Sequence, residues 1–216
     1  MSPVPVVAID GPSASGKGAV AQRVAAALGF HCLESGALYR LVALAGYEHP
    51  EATAAAMDVA FSGGKVFLSS QDVTDSLRSE LIAERASDIA RRPGLRQALL
   101  HRQRAFRRPP GLVAEGRDMG TVVFPDAVLK VFLTATLGVR AQRRHKQLKD
   151  KGIDANLHAL SRDLEQRDAR DATRAVAPLS YAPDALLLDT SEKPLDEVVG
   201  VVLGWCRDGK LGGWAA

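Results

Sequence analysis

Val4-Pro5-Val6-Val7-Ala8-Ile9-Asp10, continuing into Gly11-Pro12-Ser13-Ala14-Ser15-Gly16-Lys17-Gly18-Ala19, is the stretch that decides the fold. Its first part is a nearly continuous apolar run, the pattern of a strand buried on both faces in a parallel sheet. Its second part fits G-x-x-x-x-G-K. Glycines there let successive backbone N–H groups turn toward one centre, the following helix adds the positive end of its dipole, and Lys17 reaches β and γ phosphates. With an apolar strand before the loop and a helical pattern after it, residues 11–19 are expected to bind a nucleotide phosphate rather than make a plain glycine turn.

Working outward, Gly18 to Leu28 is alanine-rich with apolar positions at helical spacing, and Gly29 suits its C-cap. Phe30 to Leu33 reads as a second strand, ending at Glu34-Ser35-Gly36, where Ser35 is expected to cap a helix from about 37 to 45. Strand, loop, helix, strand argues for a doubly wound α/β fold. Between 46 and 97 the pattern changes, with short strands over 65–73 and a helix over 79–91, and is read as an insertion. A helix over 94–107 stops at Pro109-Pro110-Gly111. Leu112-Val113-Ala114 is a third core strand running into Glu115-Gly116-Arg117-Asp118, and 128–133 a fourth. A strongly basic helix over 139–149 stops at Gly152, and another spans 157–170, with an Arg/Asp-rich turn through Arg174. A last strand over 185–188, an amphipathic helix over 195–206 and a frayed tail over 209–216 complete the chain. The polar clusters 11–19, 34–40 and 115–118 each follow the carboxyl end of a predicted strand, the edge where open α/β sheets bind ligands.

At 216 residues the chain fits one domain with insertions, and its 46% hydrophobic and 25% charged residues are ordinary for a globular protein. The net charge of +3 hides eight arginines against two acids between Glu84 and Arg108, which suggests an anionic partner. Cys32 and Cys206 are far apart and in no C-x-x-C spacing, so neither a disulfide nor a zinc site is suggested, and free thiols in the cytoplasm are expected. No window holds 18 uninterrupted apolar residues and no apolar leader follows a basic N-terminus, so no membrane association is expected. The five histidines lack metal-ligand spacing.

Four segments in order resemble the bacterial cytidylate kinases, nucleoside monophosphate kinases of the P-loop class. Residues 11–18 match their phosphate loop and 35–40 (SGALYR) their SGxxYR signature. Residues 116–125 read GRDMGTVVFP, and Arg167 to Arg174 (RDARDATR) with Pro178-Leu179 resemble their lid. The resemblance implies a five-stranded parallel sheet flanked by helices, with core residues 1–45, 98–138 and 175–208. It also implies a monophosphate-binding insertion of about 46–97, a short lid of about 139–174, and transfer of phosphate from ATP, with Mg²⁺, to CMP or dCMP. A monomer that binds no nucleic acid is expected.

The roles that the resemblance implies suit the chemistry. The acceptor phosphate oxygen is already anionic, so no general base is needed and catalysis rests on positioning and positive charge. Lys17, Arg117 and Arg167 would act on the transferred group, and Gly11, Pro12, Ser13, Ala14, Ser15, Gly16, Lys17, Gly18 and Ala19 would hold ATP. Ser35, Gly36, Tyr39, Arg40, Arg117 and Arg167 would bind CMP, with Asp171 and Arg174 on its sugar and base side. Asp118 would accept from the cytosine N4 amino group, with Arg96 and Ser87 on the remaining edge. The chain departs from the family at Ala19, where a Thr or Ser is usual, and at Glu34 and Glu115, where Asp is usual. The two longer carboxylates are expected to meet magnesium through water and to offset the missing hydroxyl. Rival readings are a UMP or sugar-acid kinase, a nucleotide binder weakened at Ala19, and a GTPase or nucleic-acid motor. The last pair lacks support: the only asparagine is Asn156, in no Asn-Lys-x-Asp, and aromatics are 5%.

Overall fold

The computed structural model describes residues 3–62, 65–150 and 152–209, so residues 210–216 of the expected tail lie outside the described residues. In chain order the elements are β1 (Val6–Asp10), α1 (Lys17–Leu28), β2 (His31–Glu34), α2 (Ser35–Gly46), α3 (Pro50–Ala56), β3 (Val59–Ser62), β4 (Lys65–Leu68) and β5 (Gln71–Asp72). They continue with α4 (Glu80–Ile89), α5 (Pro93–Arg104), β6 (Leu112–Gly116), β7 (Leu129–Thr134), α6 (Leu137–Lys149), α7 (Leu157–Ala172), β8 (Leu186–Asp189) and α8 (Leu195–Gly209). The chain divides into two compact units, residues 1–33 with 106–216, and residues 34–105.

In the larger unit five strands form one sheet in the order β2-β6-β1-β7-β8, and β1 runs parallel to both neighbours, β6 and β7. That order follows from composition: β1 and β6 are buried at every residue, as central strands covered on both faces must be. Helices α1 and α8 cover the sheet through Val20, Val24, Val198, Val202 and Cys206, which share one core with Val7, Ile9, Val113, Val131 and Leu133. Helix α1 ends at Gly29, whose φ of +65° lets its amide and that of Phe30 return to the Ala26 and Ala25 carbonyls. Helices α6 and α7 follow β7 and pack on each other.

The smaller unit packs α2 against α3 and α4, and α3 against α5, beside a three-stranded antiparallel sheet β3-β4-β5. It runs wider than the 46–97 segment because α2 and the whole of α5 belong to its core, where Leu38, Leu41, Ile89, Leu95 and Leu99 are buried.

Several local expectations change. Helix α2 starts at Ser35 with Glu34 in the N-cap position, and no side chain caps it; Ser35 is buried in the first turn instead of capping. Helix α3 and strand β3 are additional to the predicted elements, since α3 is only seven residues and mostly Ala, with too few apolar positions to show a period. Helix α5 stops at Arg104, and Arg107, expected within it, donates from Nε to the Val4 carbonyl and pairs with Asp126 at 2.7 Å. Beyond β6 the backbone makes a five-residue π turn, Met119–Val123, that no sequence period announces.

Candidate active site

The phosphate loop leaves β1 through Gly11 and enters α1 through Gly16, with φ of +154° and +93°. Gly11 is obligatory on packing grounds also, because a Cβ there would run into the Leu133 carbonyl of β7. Ala14 takes a left-handed φ of +59° without being glycine, a strained position of the kind that gathers at functional sites. Three loop carbonyls are bound by cations: Lys17 Nζ donates to Pro12 at 3.1 Å, Arg140 Nη1 to Ser13 at 3.3 Å and Arg143 Nη1 to Ser15 at 3.2 Å. Thr190 Oγ1, just past β8, also donates to the Ser15 carbonyl. Holding these carbonyls removes their negative ends from competition with a bound anion. The Ser15 hydroxyl is fully buried and has no partner, while Ala19 is exposed.

Lys17 is buried, with Glu115 Oε2 3.9 Å away. Burial brings its pKa down to about 7, helped by Arg117 and Arg167 and opposed by Glu115 and Asp171. Those five side chains, from the loop, the end of β6, the turn after it and α7, form one electrostatic cluster. Asp171 is its anionic hub: Arg117 Nε donates to Oδ2 at 2.8 Å and Arg174 pairs with Oδ1. Burial pushes the Asp171 pKa up, but Arg117, Arg174 and Arg167 outweigh it and hold the carboxyl below its ordinary range. Two arginine forks oriented by a carboxylate, with a lysine at a helix N-terminus, make an arrangement able to bind an anion.

In the smaller unit Arg96 is buried, donates to the Ala90 carbonyl at 3.2 Å and lies over the Tyr39 ring at 5.8 Å. Ser87 is buried on α4 and its hydroxyl has no partner. Arg40 faces Glu34 at 3.6 Å, so Glu34 answers an arginine along its own segment, while Glu115 answers Lys17.

Further polar side chains adjoin the loop and the turn after β6. Asp10 is buried and accepts from the Met119 and Gly120 amides at 2.9 and 2.8 Å; burial raises its pKa to about 7. Arg140 joins the loop to α7, bonding the Ala135 carbonyl and Asp168 Oδ2, the latter at 2.6 Å. A carboxylate closing an otherwise apolar strand was the available signal for Asp10. Arginines at i and i+3 opening a helix just after a core strand were the signal for Arg140 and Arg143. Among the described residues, no group of three His, Cys, Asp or Glu could hold a metal, and no helix is long and apolar enough to cross a membrane.

The family model described as cytidylate kinase matches residues 7–207. A cytidylate kinase of Burkholderia cenocepacia (strain HI2424) is 56% identical over 214 residues, covering 95% of this chain and 94% of its own length. One from Cupriavidus necator is likewise 56% identical, covering 95% and 96%. A solved structure of an uncharacterized protein from Eubacterium ventriosum ATCC 27560 has a TM-score of 0.50 at 13% identity, over 94% of this chain and 99% of that one, a likeness of fold alone.

Proposed function

This chain belongs to the cytidylate kinase family, and we infer from that membership that it transfers the terminal phosphoryl group of ATP to CMP or dCMP, giving ADP and CDP or dCDP. The observation that carries the reading at the site is the cluster of Lys17, Arg117 and Arg167 around the buried Asp171. Phosphoryl transfer between two phosphates needs fixed positive charge and alignment, and this cluster supplies cations without a histidine or other base.

In the proposed assignment the loop 11–19 binds the ATP phosphates, and Lys17 follows the charge that develops as the group leaves. Arg117 and Arg167 hold the acceptor phosphate and the group in transit, with Asp171 orienting the Arg117 fork. Arg174 shares that carboxylate and is assigned to the sugar and base side. Ser35, Gly36, Tyr39 and Arg40 complete the acceptor's phosphate and sugar contacts. Asp118 accepts from the cytosine N4 amino group, while Arg96 and the partnerless Ser87 hydroxyl serve the other edge. Uracil would set an acceptor against the Asp118 carboxylate, so discrimination of up to about 10⁴-fold is within reach of such a site.

The buried Ser15 hydroxyl and the Glu115 carboxylate fit a magnesium ion arriving with ATP, Glu115 holding it through water, and the ion would neutralise charge on the phosphates. Glu34, paired with Arg40, is assigned to the acceptor side. The exposed thiol of Cys32 and the buried one of Cys206 support a reducing, cytoplasmic setting, and the enzyme is taken to act as a monomer. The test is ADP release with ATP and Mg²⁺ and CMP, dCMP, UMP, AMP or GMP as acceptor. CMP and dCMP are expected to turn over well and UMP poorly; turnover of another acceptor with none for CMP would overturn the assignment.

A further inference from the structure

Asp10 is the buried carboxylate that the proposed mechanism leaves unused, and its contacts are unusually specific. Its backbone pairs in register with Gly116 on β6, immediately before Arg117-Asp118. Its side chain accepts from Met119 N–H on Oδ1 and Gly120 N–H on Oδ2, immediately after Arg117-Asp118. The dipeptide is thus bracketed on both sides by one residue, which is itself joined to the first glycine of the phosphate loop.

The π turn of Met119–Val123 explains why this matters. Its first amides need acceptors, and the residue in the N-cap position, Asp118, is of the type that ordinarily bonds such amides with its own side chain. Here Asp118 makes no capping bond; its backbone carbonyl instead receives the Val122 and Val123 amides, at 2.9 and 3.1 Å. Asp10 takes the two leading amides from a strand more than a hundred residues earlier.

We propose that Asp10 is a positioning residue for acceptor selection: by capping the turn after Asp118, it keeps the Asp118 carboxylate out of the local capping bond and directed to the substrate base. The proposal rests on the reading of Asp118 as the cytosine-selecting residue. Removing the Asp10 acceptors leaves Met119 and Gly120 N–H unpaired, and Asp118 is the nearest carboxylate in sequence able to satisfy them. In this proposal Asp10 acts through Asp118, since its side-chain bonds go to the Met119 and Gly120 amides.

The experiment compares Asp10→Asn, Asp118→Asn and the double variant by kcat and KM for CMP, UMP and ATP, with thermal unfolding of each. In Asp10→Asn the side-chain amide would aim N–H at one of the two backbone donors. CMP-over-UMP discrimination in kcat/KM is then expected to fall by about 10- to 100-fold, mostly through KM for CMP, with KM for ATP changed less. Asp118→Asn is expected to relax discrimination as well, and the double variant to fall no further than Asp118→Asn alone. Equal losses on both acceptors in Asp10→Asn, beside relaxed selectivity in Asp118→Asn, would reduce Asp10 to a structural residue and overturn the proposal. Unchanged selectivity in Asp118→Asn would remove the base-site reading itself, and the role of Asp10 with it. Should Asp10→Asn fail to fold, Asp10→Glu keeps the charge and both acceptors on a longer arm. With the turn still capped, discrimination is expected to stay near the wild-type value, and a loss of about 10-fold or more would overturn the proposal.

Discussion

Lys17 and Asp10 are two buried ionisable groups whose titration runs in opposite senses, so their effects on stability can be separated by pH. Burial lowers the Lys17 pKa from 10.5 to about 7, so between about pH 7 and 10 the unfolded chain binds more protons at this site and stability rises with pH. Burial raises the Asp10 pKa from 3.8 to about 7, so between about pH 4 and 7 the folded chain binds more protons and the contribution falls as pH rises. Melting temperatures of the wild type minus those of Asp10→Asn should therefore decline from pH 4 to 7, and those of the wild type minus Lys17→Ala should climb from pH 7 to 9. In steady-state assays Lys17→Ala should depress kcat by at least about 100-fold while KM for CMP moves little, the outcome that the proposed role of the lysine on the transferring phosphoryl group requires. Survival of CMP phosphorylation in that variant would remove Lys17 from the reaction. Lys17 stood out in the sequence because its neighbours spell the loop. Its depressed pKa did not, because Glu115, Arg117 and Arg167 reach it only through the fold.

Strands β1 and β6 and helix α1 were legible because continuous apolar runs and a terminal glycine are local signals. Helix α3 and the π turn were not, since one is too short to show a period and the other is completed by Asp10 from another element. The join between β1 and the loop is the least tolerant point. Gly11→Ala places a methyl group against the Leu133 carbonyl at a φ of +154°, and should cost at least about 2 kcal/mol in urea unfolding while abolishing ATP binding. Helices α6 and α7 make a second junction, where Arg140 holds the Ser13 carbonyl and Asp168 together, one residue from Arg167. Arg140→Ala and Asp168→Ala should each lower stability by about 1–3 kcal/mol, and the double variant by less than their sum. Strict additivity of the three unfolding free energies would show that the pair does not couple α7 to the loop.

For the whole molecule, a site made of partly buried arginines and a buried lysine keeps like charges together, and an anionic ligand relieves that repulsion. Ligand present at about 100 times its dissociation constant stabilises the folded state by about 2.7 kcal/mol, which in a chain of this size corresponds to roughly 5–10 °C in melting temperature. CMP should produce such a rise in the wild type and lose most of it in Arg117→Ala, whereas GMP should give little in either; equal shifts for the two nucleotides would contradict a cytosine-selective site. Tyr39, Ser87 and Arg96 belong to the smaller unit, and Arg117, Asp118 and Asp171 to the larger. Tyr39, Arg117, Asp118 and Asp171 fall within the four ordered motifs, whereas Ser87 and Arg96 lie outside all of them. The boundary of the smaller unit was not legible either, because whether α2 and α5 join its core depends on packing with α3 and α4.

The phosphate loop, the α/β sheet around it and the family were legible from the linear chain alone. Glycine freedom, apolar periodicity and short motifs are properties of neighbouring residues, and they survive in a linear reading. Only the tertiary structure decided that Asp10 caps a turn 109 and 110 residues away, that Arg140 and Arg143 grip the carbonyls of the loop, and that Glu115 and Glu34 serve different partners. Those contacts follow from strand register and helix packing, which bring distant residues within hydrogen-bonding reach, and burial there then sets the charge that Lys17 and Asp10 carry.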